Sequence, residues 1–284
     1  MSGRYRRLIV LTQYLANHPL DQVSLTELSQ QLGVAKSTLS EDLVLVKDTL
    51  EHHNLGRVES QVGVQGGIRY VPDRNRTQHS LRQWSQALSD PLRMMSDGFL
   101  YMTDLLFNPR WIDPMGQLLA ERFIHADIQF VATVETKGIP LALACARFLG
   151  VEVVLLRRDN RLSEGSALSI NYLSGSSRRI QSMSLSRRAP VRGGRVLFVD
   201  DFMKAGGTAR AAQDLLADFD ATIQGVGVLV ATVAPEQKLV EQYSSCLNWD
   251  EADPQSVKPS AWAWELCQRT SVPKEGIEHD GGIS

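Results

Sequence analysis

Cysteine is scarce in this chain, with three in 284 residues, at positions 145, 246 and 267. The number is odd, and no two of them are close enough in sequence to form a metal-binding pair. The sequence therefore gives no support to a disulfide framework or to a zinc site. It favours free thiols in a reducing compartment.

Long apolar runs are also missing. No segment approaches the roughly 18 apolar residues that a membrane-spanning helix needs. The basic start of the chain leads into an apolar stretch, but Thr12 and Gln13 interrupt it after four residues, too early for a signal-peptide core. We therefore expect a cytoplasmic protein with no membrane partner.

Net charge is small, −2, and by itself indicates no particular partner. Its distribution is uneven, because residues 157–195 contain nine arginines and two acids, whereas residues 196–284 contain six basic and fourteen acidic residues. A hydrophobic fraction of 43% and a charged fraction of 22% are ordinary for a globular protein. A chain of this length is long enough for two domains.

The first 73 residues have the pattern of a small helical domain. Leucines 8, 11 and 15 repeat at helical spacing, and Ser24 with Glu27 gives the capping box of a second short helix. A glycine turn, "LGV", then leads into "AKSTLSEDLVLVKDTL", whose leucines share one face. Helix, glycine turn and helix in this order indicate a helix-turn-helix.

Two short strands, at about 57–62 and 68–71, follow the third helix and are joined by a glycine-rich tip. Together these parts resemble a winged helix-turn-helix, in which the third helix reads DNA. Arginines that we place before the first helix, short or basic residues at the start of the third, and the wing are the candidate DNA contacts. They are Arg4, Arg6, Arg7, Lys36, Ser37, Thr38, Ser40, Gly66, Gly67 and Arg69. The alternative is a protein-interaction module with a solvated polar face.

We place the domain boundary near residue 74, with the second domain at 74–284. A polar stretch after Pro72 leads to a helix near 81–88, and this helix and "FLYMTDLLFNPRW" are expected to pack on the second domain or to form a dimer contact. The acidic tail, about 273–284, is expected to be disordered.

The second domain alternates apolar strands with helices. The strands are expected at 128–134, 151–156, 195–200 and 225–231, and the helices at 139–150 and 206–219. Continuous apolar strands separated by helices indicate a parallel sheet that is covered on both faces. Ligands of such sheets bind at the loops that follow the carboxyl ends of the strands.

Three of those loops carry polar or glycine-rich motifs. The third, in "VLFVDDFMKAGGT", has chemistry that suits a sugar phosphate. Asp200 and Asp201 can accept hydrogen bonds from a vicinal diol, while Gly206 and Gly207 let backbone N–H groups approach a phosphate at the start of a helix. A diol beside a phosphate describes ribose 5-phosphate.

The other two loops, "ETKG" and "RRDNR", supply N–H groups and cations for further anions. A ribose with phosphate at one end and pyrophosphate at the other is phosphoribosyl pyrophosphate, which becomes the candidate ligand. The predicted site consists of Thr136, Lys137, Gly138, Arg157, Arg158, Asp200, Asp201, Phe202, Met203, Lys204, Ala205, Gly206, Gly207 and Thr208. We predict that no residue of the protein binds a metal ion directly. The sequence leaves open whether Mg²⁺ accompanies the effector.

A segment rich in serine and arginine lies between the second and third loops. Its arginines are Arg178, Arg179, Arg187, Arg188 and Arg192. Two interpretations stay open, a solvated hairpin and a basic surface that adds phosphate contacts to those of the DNA-binding domain.

The chain resembles the bacterial purine operon repressors that carry a type I phosphoribosyltransferase fold. The resemblance rests on "AKSTLSEDL", "TKGIPLA", "EGSALSINYLSGSSRRIQSMSL" and "VDDFMKAGGT", and it runs from about residue 4 to residue 245. It implies an α/β fold, in which an N-terminal winged helix-turn-helix precedes a phosphoribosyltransferase-like parallel-sheet domain.

The resemblance also implies a homodimer that binds operator DNA and represses genes of purine synthesis and transport. Phosphoribosyl pyrophosphate would relieve the repression, and guanosine tetraphosphate would compete for the same pocket. By position, Tyr101 and Phe202 are the aromatic groups near such a ligand, although a core role for both rings stays open. The family is not known for transferase activity.

The alternative function is a purine phosphoribosyltransferase that also binds DNA or RNA. The enzymes that the motif resembles often have two threonines where this sequence has Lys204 and Ala205. We see no clear segment that would hold a purine base. The sequence therefore favours a regulator without transferase activity.

Overall fold

The computed structural model describes residues 3–61, 67–95, 98–158, 165–173, 180–253 and 255–268. The expected tail at 273–284, Gly66, Arg178 and Arg179 lie outside the described residues. None of the helices in the described ranges is long and apolar enough to cross a membrane.

The N-terminal unit has three helices and a two-stranded sheet. They are α1 Gly3–Asn17, α2 Leu25–Gln31, α3 Lys36–His52, β1 Gly56–Gln61 and β2 Gly67–Pro72. Ser24 caps α2 by accepting a hydrogen bond from the backbone N–H of Glu27, as the capping box predicts. Leucines of all three helices and Val58 and Ile68 of the sheet form one buried core. The order of elements is that of a winged helix-turn-helix.

The segment that connects α1 to α2 is part of the small sheet. Val23 exchanges backbone hydrogen bonds with Ile68, and the N–H of Leu20 donates to the carbonyl of Tyr70. The side chains of Leu20 and Val71 belong to the core of the following unit rather than to that of the helices. The two units are therefore joined through apolar contacts as well as through the chain.

The helix α4 runs over Arg74–Leu88, seven residues longer at its start than the sequence indicates. Asp73 caps it by accepting from the N–H of Asn75. The first turn was missed because its buried residue is a threonine, Thr77, and its other side chains are polar. Thr77, Leu81, Trp84 and Leu88 form its buried stripe.

The rest of the chain forms the α/β domain. Its elements are β3 Met94–Met95, β4 Phe99–Leu100, α5 Thr103–Leu106, α6 Pro109–Phe123, β5 Phe130–Val134, α7 Ile139–Leu149, β6 Glu152–Leu156, β7 Ala167–Leu173, β8 Ile180–Ser186, β9 Arg195–Met203, α8 Gly207–Ala217, β10 Thr222–Thr232, β11 Ser244–Trp249, β12 Val257–Pro259 and α9 Ala261–Gln268. Residues 99–106 contribute Leu100, Met102, Leu105 and Leu106 to the core, so the expected packing of this segment on the second domain is confirmed.

The central sheet has six strands in the order β12-β11-β10-β9-β5-β6. All its neighbours are parallel except the edge strand β12, which runs antiparallel to β11. One face is covered by α4, α6 and α7, and the other by α8 and the antiparallel hairpin β7–β8. The prediction of a parallel sheet covered on both faces is confirmed.

Candidate functional site

The order of the strands places a crevice between β5 and β9. The chain passes from β5 outward to β6 and then returns to form β9 on the other side of β5. The loop after β5 leads to α7 on one face, and the loop after β9 leads to α8 on the opposite face. Parallel sheets bind ligands where the connections diverge in this way.

The two aspartates lie in this crevice. The strand β9 continues to Met203, so Asp200 and Asp201 belong to its last residues and do not follow it. Partial burial raises the pKa of both carboxyl groups, and the neighbouring charge of Asp201 raises that of Asp200 further. The positive charges of Lys137 and Arg158 act in the opposite direction on the pKa of Asp201.

The glycine-rich turn after β9 has the backbone geometry of a candidate anion cradle. Gly206 has φ +81° and precedes the first residue of α8, a left-handed conformation that glycine adopts without strain. The first backbone N–H groups of α8 have no partner within the helix and are directed at the turn. Residues 202–208 line a small concavity there, of about 40 Å³. The arrangement suits a phosphate group.

The loop after β5 is packed against the aspartates. The peptide bond between Glu135 and Thr136 is cis. A Cβ on Gly138 would collide with Thr133 Oγ1 and would lie 2.9 Å from Asp200 Oδ1. Gly138 is therefore required for the close approach of the two loops. Thr136 and Lys137 are exposed beside it and are free to contact a ligand.

The loop after β6 belongs to the same site because it contacts Glu135, the residue that follows β5. This carboxylate accepts hydrogen bonds from Arg157 Nη1, at 3.3 Å, and from the backbone N–H of Arg158, at 3.1 Å. The backbone of Arg157 also exchanges two hydrogen bonds with Ser184 of β8. The three loops that the sequence places at one edge of the sheet are thus brought together, with the hairpin β7–β8 beside them.

Sequence reasoning missed several neighbours of the site. Lys204 Nζ pairs with Glu251 Oε1 at 2.6 Å. Lys238 Nζ donates to the carbonyl of Thr232, and burial lowers its pKa. Glu251 follows β11, a strand that the prediction left out. Recognising "SSCLNW" as a buried strand would have placed Glu251 at this edge of the sheet.

The two aromatic candidates have different surroundings. Phe202 lies between Phe99 and Trp249, with ring centroids 6.2 Å apart in both pairs, and it lines the concavity. Phe202 can therefore pack in the core and also contact a ligand in the concavity. Tyr101 is 48% exposed at the end of β4 and is not among the described residues that line the concavity.

Two of the three N-terminal arginines are reassigned by the structure. The helix α1 begins at Gly3, so Arg4, Arg6 and Arg7 lie within it and do not precede it. Arg4 Nε and Arg7 Nε pair with the buried carboxylate of Asp42 on α3, at 3.2 Å and 2.9 Å. These two arginines fasten the helices together, whereas Arg6 is exposed.

The start of α3 is accessible, as a recognition helix requires. Lys36, Ser37 and Ser40 are exposed and Thr38 is half-buried. The hydroxyl of Ser40 donates to the carbonyl of Lys36, so it is available to DNA as an acceptor. These residues stay candidates for DNA contact.

The wing residues Gly67 and Arg69 face the protein. A Cβ on Gly67 would lie 2.5 Å from the carbonyl oxygen of Val23, so this glycine serves packing and not the approach to a groove of DNA. Arg69 lines a groove against the second domain, together with Trp262 of α9. These placements count against a DNA contact for either residue.

The basic segment forms the hairpin β7–β8 and the turn after it. Arg187 and Arg188 are exposed at its end, and Arg192 pairs with Asp220 at 2.9 Å. The described part of the segment is thus an exposed hairpin beside the crevice. Both interpretations of its arginines stay open.

The fold and this site define the class of protein, a DNA-binding regulator built on a phosphoribosyltransferase domain. The family model "Bacterial purine repressor, N-terminal" matches residues 3–72, and the model "Phosphoribosyl transferase domain" matches residues 103–261. The adenine phosphoribosyltransferase of Rhodothermus marinus superposes with a TM-score of 0.51 at 22% identity, covering 60% of this chain and 98% of the enzyme, which shows the shared fold.

Two relatives identify the family. The purine biosynthesis transcriptional repressor PurR of Bacillus subtilis is 43% identical over 247 residues, which are 86% of this chain and 87% of the relative. The purine biosynthesis transcriptional activator PurR of Lactococcus lactis is 37% identical over 252 residues, 88% of this chain and 93% of the relative. The chain belongs to the family of bacterial purine biosynthesis transcriptional regulators.

Proposed function

We propose that this regulator represses genes of purine synthesis and transport as a homodimer, and that phosphoribosyl pyrophosphate relieves the repression. The observation that carries the proposal is the junction of three anion-binding loops at the β5–β9 crevice in a chain whose first domain exposes the start of a recognition helix. One chain therefore holds a nucleotide-like effector site and a DNA-reading element.

Each part of the effector has a counterpart in the crevice. The carboxylates of Asp200 and Asp201 accept hydrogen bonds from the ribose hydroxyls. The N–H groups at the start of α8 and the hydroxyl of Thr208 bind the 5-phosphate. Thr136 to Gly138 and the arginines at 157 and 158 receive the pyrophosphate, whose two phosphates favour guanidinium and backbone N–H donors.

Guanosine tetraphosphate is the proposed competitor. It carries two pyrophosphate groups and a ribose, so it needs the same donors as the effector and both cannot bind at once. The ring of Phe202, in the wall of the concavity, can lie against its base. The exposed ring of Tyr101 is the second aromatic candidate.

We also propose that the protein has no transferase activity. Lys204, which stands where the similar enzymes often have threonine, is held by Glu251 and so is not directed freely at a phosphate. The alternative, a bifunctional purine phosphoribosyltransferase, draws on the same crevice, because binding and catalysis need the same donors.

The first experiment is an operator-binding titration with the double variant Asp200→Ala, Asp201→Ala. It is expected to bind operator DNA as tightly as the unchanged protein but to resist release by phosphoribosyl pyrophosphate, with and without Mg²⁺. The double variant Asp214→Ala, Asp218→Ala removes two exposed acids from the region of α8 and is the control. Normal release of the first variant would disprove the site assignment.

A second experiment separates the two classes of function. The protein is incubated with phosphoribosyl pyrophosphate and adenine, guanine, hypoxanthine or xanthine, and nucleotide formation is measured. We expect none above the background of the double aspartate variant. Formation of a nucleotide would overturn the proposal that the protein has no transferase activity. Light scattering of the same sample measures the molar mass and so tests whether the protein is a dimer.

A further inference from the structure

A second groove lies between the N-terminal domain and the α/β domain. Its walls come from the strands β1 and β2, the first residue of α4, the end of α6 and the helix α9. Its volume is about 450 Å³. It is therefore formed by both domains, and its shape depends on how they are joined.

This groove lies near the amino ends of the parallel strands, whereas the effector crevice lies at their carboxyl ends. Arg122, in its wall, donates through Nε to Ser244 Oγ at 3.2 Å, and Ser244 is the first residue of β11. Phe123, the next residue, packs against Gly225 near the start of β10. The amino ends of parallel strands lie at the edge away from their carboxyl ends, so a ligand here would not share the crevice.

Four arginines and three glutamates, one of them Glu265, line the groove, so one positive charge is in excess. Arg57 pairs with Glu59 and Arg74 with Glu121, both at 2.6 Å. Two further guanidinium groups, those of Arg69 and Arg122, line the same groove. Arg122 lies over the ring of Trp262, 5.6 Å from its centroid, and the pair forms a flat wall.

Two buried donors in this wall make no hydrogen bond to any residue that the structure describes. They are Arg69 Nε, from the N-terminal domain, and Trp262 Nε1, from the α/β domain. A buried donor that is left unpaired destabilises the fold, so a folded protein rarely keeps two in one cavity without an acceptor. Both side chains line the groove, so a small movement of its wall lets an entering oxygen atom reach these donors.

We propose that the groove binds a small oxyanion, a phosphate or carboxylate group of a metabolite, through Arg69, Arg122 and Trp262. Guanidinium and indole N–H groups are donors only, and they match the acceptor oxygens of such a group. The bound oxyanion joins the wing to α9. It therefore favours one arrangement of the DNA-binding domain, and operator DNA must in turn change the affinity for the oxyanion by the same factor.

The test follows the indole N–H signals of the five tryptophans in a ¹H–¹⁵N NMR spectrum of the full chain. The signal of Trp262 is assigned with Trp262→Phe, and Trp84, whose Nε1 donates to the carbonyl of Trp111, is the internal reference. Inorganic phosphate and citrate are titrated separately, so that the two kinds of oxyanion are distinguished. We expect one of them to shift the Trp262 signal saturably and to leave the Trp84 signal in place.

Three variants test whether the response of the Trp262 signal arises in the groove. Arg69→Gln is expected to weaken the response of Trp262 at least tenfold, whereas Arg76→Gln, on the exposed side of α4, leaves it unchanged. Asp200→Ala with Asp201→Ala also leaves it unchanged, since the crevice is not involved. An unchanged Trp262 signal in the native protein, or an equal response in Arg69→Gln, would overturn the proposal.

Discussion

At the scale of single residues, Gly138 controls how closely the two loops of the crevice approach. In Gly138→Ala the new Cβ meets Thr133 Oγ1 and Asp200 Oδ1, so the loop must move away from the aspartates. We expect the affinity for phosphoribosyl pyrophosphate to fall at least tenfold, about 1.4 kcal/mol, by calorimetry. Gly3→Ala, whose Cβ would have its nearest neighbour 4.0 Å away, is the control. Equal affinity in both variants would contradict the geometry.

Glu251 limits the charge that Lys204 can offer to a phosphate. In Glu251→Gln the 2.6 Å ion pair loses its negative partner, and the ammonium group is free to turn toward the cradle. Partly exposed ion pairs contribute up to about 1 kcal/mol, so the affinity for the effector is expected to rise up to fivefold. Glu236→Gln, an exposed acid in the preceding loop, is the control. A weaker or unchanged affinity would show that Lys204 does not contact the effector.

Asp200 lowers the stability of the free protein at neutral pH. Burial raises its pKa above the ordinary 3.8, so the folded chain holds this proton more tightly than the unfolded chain. The free energy of unfolding therefore falls as the pH rises from about 3.8 through the raised pKa, and the full penalty is present above it. We expect Asp200→Asn to have a higher Tm than the unchanged protein at pH 7, with the difference vanishing near pH 3. A lower Tm at pH 7 would refute this account, and Asp214→Asn is the control.

At the scale of elements, α3, the proposed recognition helix, is held by a buried charge. Asp42 of α3 is 1% exposed and accepts from Arg4 and Arg7 of α1. Asp42→Asn removes the charge from both hydrogen bonds, which costs about 1–3 kcal/mol for partners of this kind. We expect urea denaturation to show this loss in the N-terminal domain and operator binding to weaken with it.

The exposed neighbour Asp48 of the same helix gives a matched control. Asp48→Asn has the same change of charge, and Asp48 forms no ion pair with the described part of the chain. We therefore expect it to leave stability within about 0.5 kcal/mol of the unchanged protein. Equal losses in the two variants would mean that net charge, and not the contact between α1 and α3, sets the stability of the domain.

At the scale of the whole molecule, the proposed function links effector and operator. If phosphoribosyl pyrophosphate weakens operator binding by some factor, operator DNA must weaken binding of the effector by the same factor. Allosteric factors of this kind are typically about 5- to 150-fold. We expect operator DNA to change the Kd for the effector by some factor. Titrations of DNA are expected to show that the effector changes the Kd for operator DNA by the same factor. A factor of one in these titrations would show that effector and operator are not coupled.

Much of the fold was predictable because its strands and helices have strong local patterns. The runs that became β5, β6, β9 and β10 are apolar throughout, since both faces of the sheet are covered. The helix α4 and the strand β11 were less clear. The first turn of α4 buries Thr77, and β11 carries serines and an asparagine, so neither segment has the apolar pattern of a core element.

The sequence by itself determined the order of the domains and the chemistry of "VDDFMKAGGT", because adjacent carboxylates and a glycine turn before a helix depend on local spacing alone. Only the tertiary structure decided which charges meet. Asp42 with Arg4 and Lys204 with Glu251 are 38 and 47 residues apart, and Arg69 turns from the wing toward α9. A long side chain takes its partner from the element that packs against it, and that packing is set by the burial of apolar surface across the whole chain.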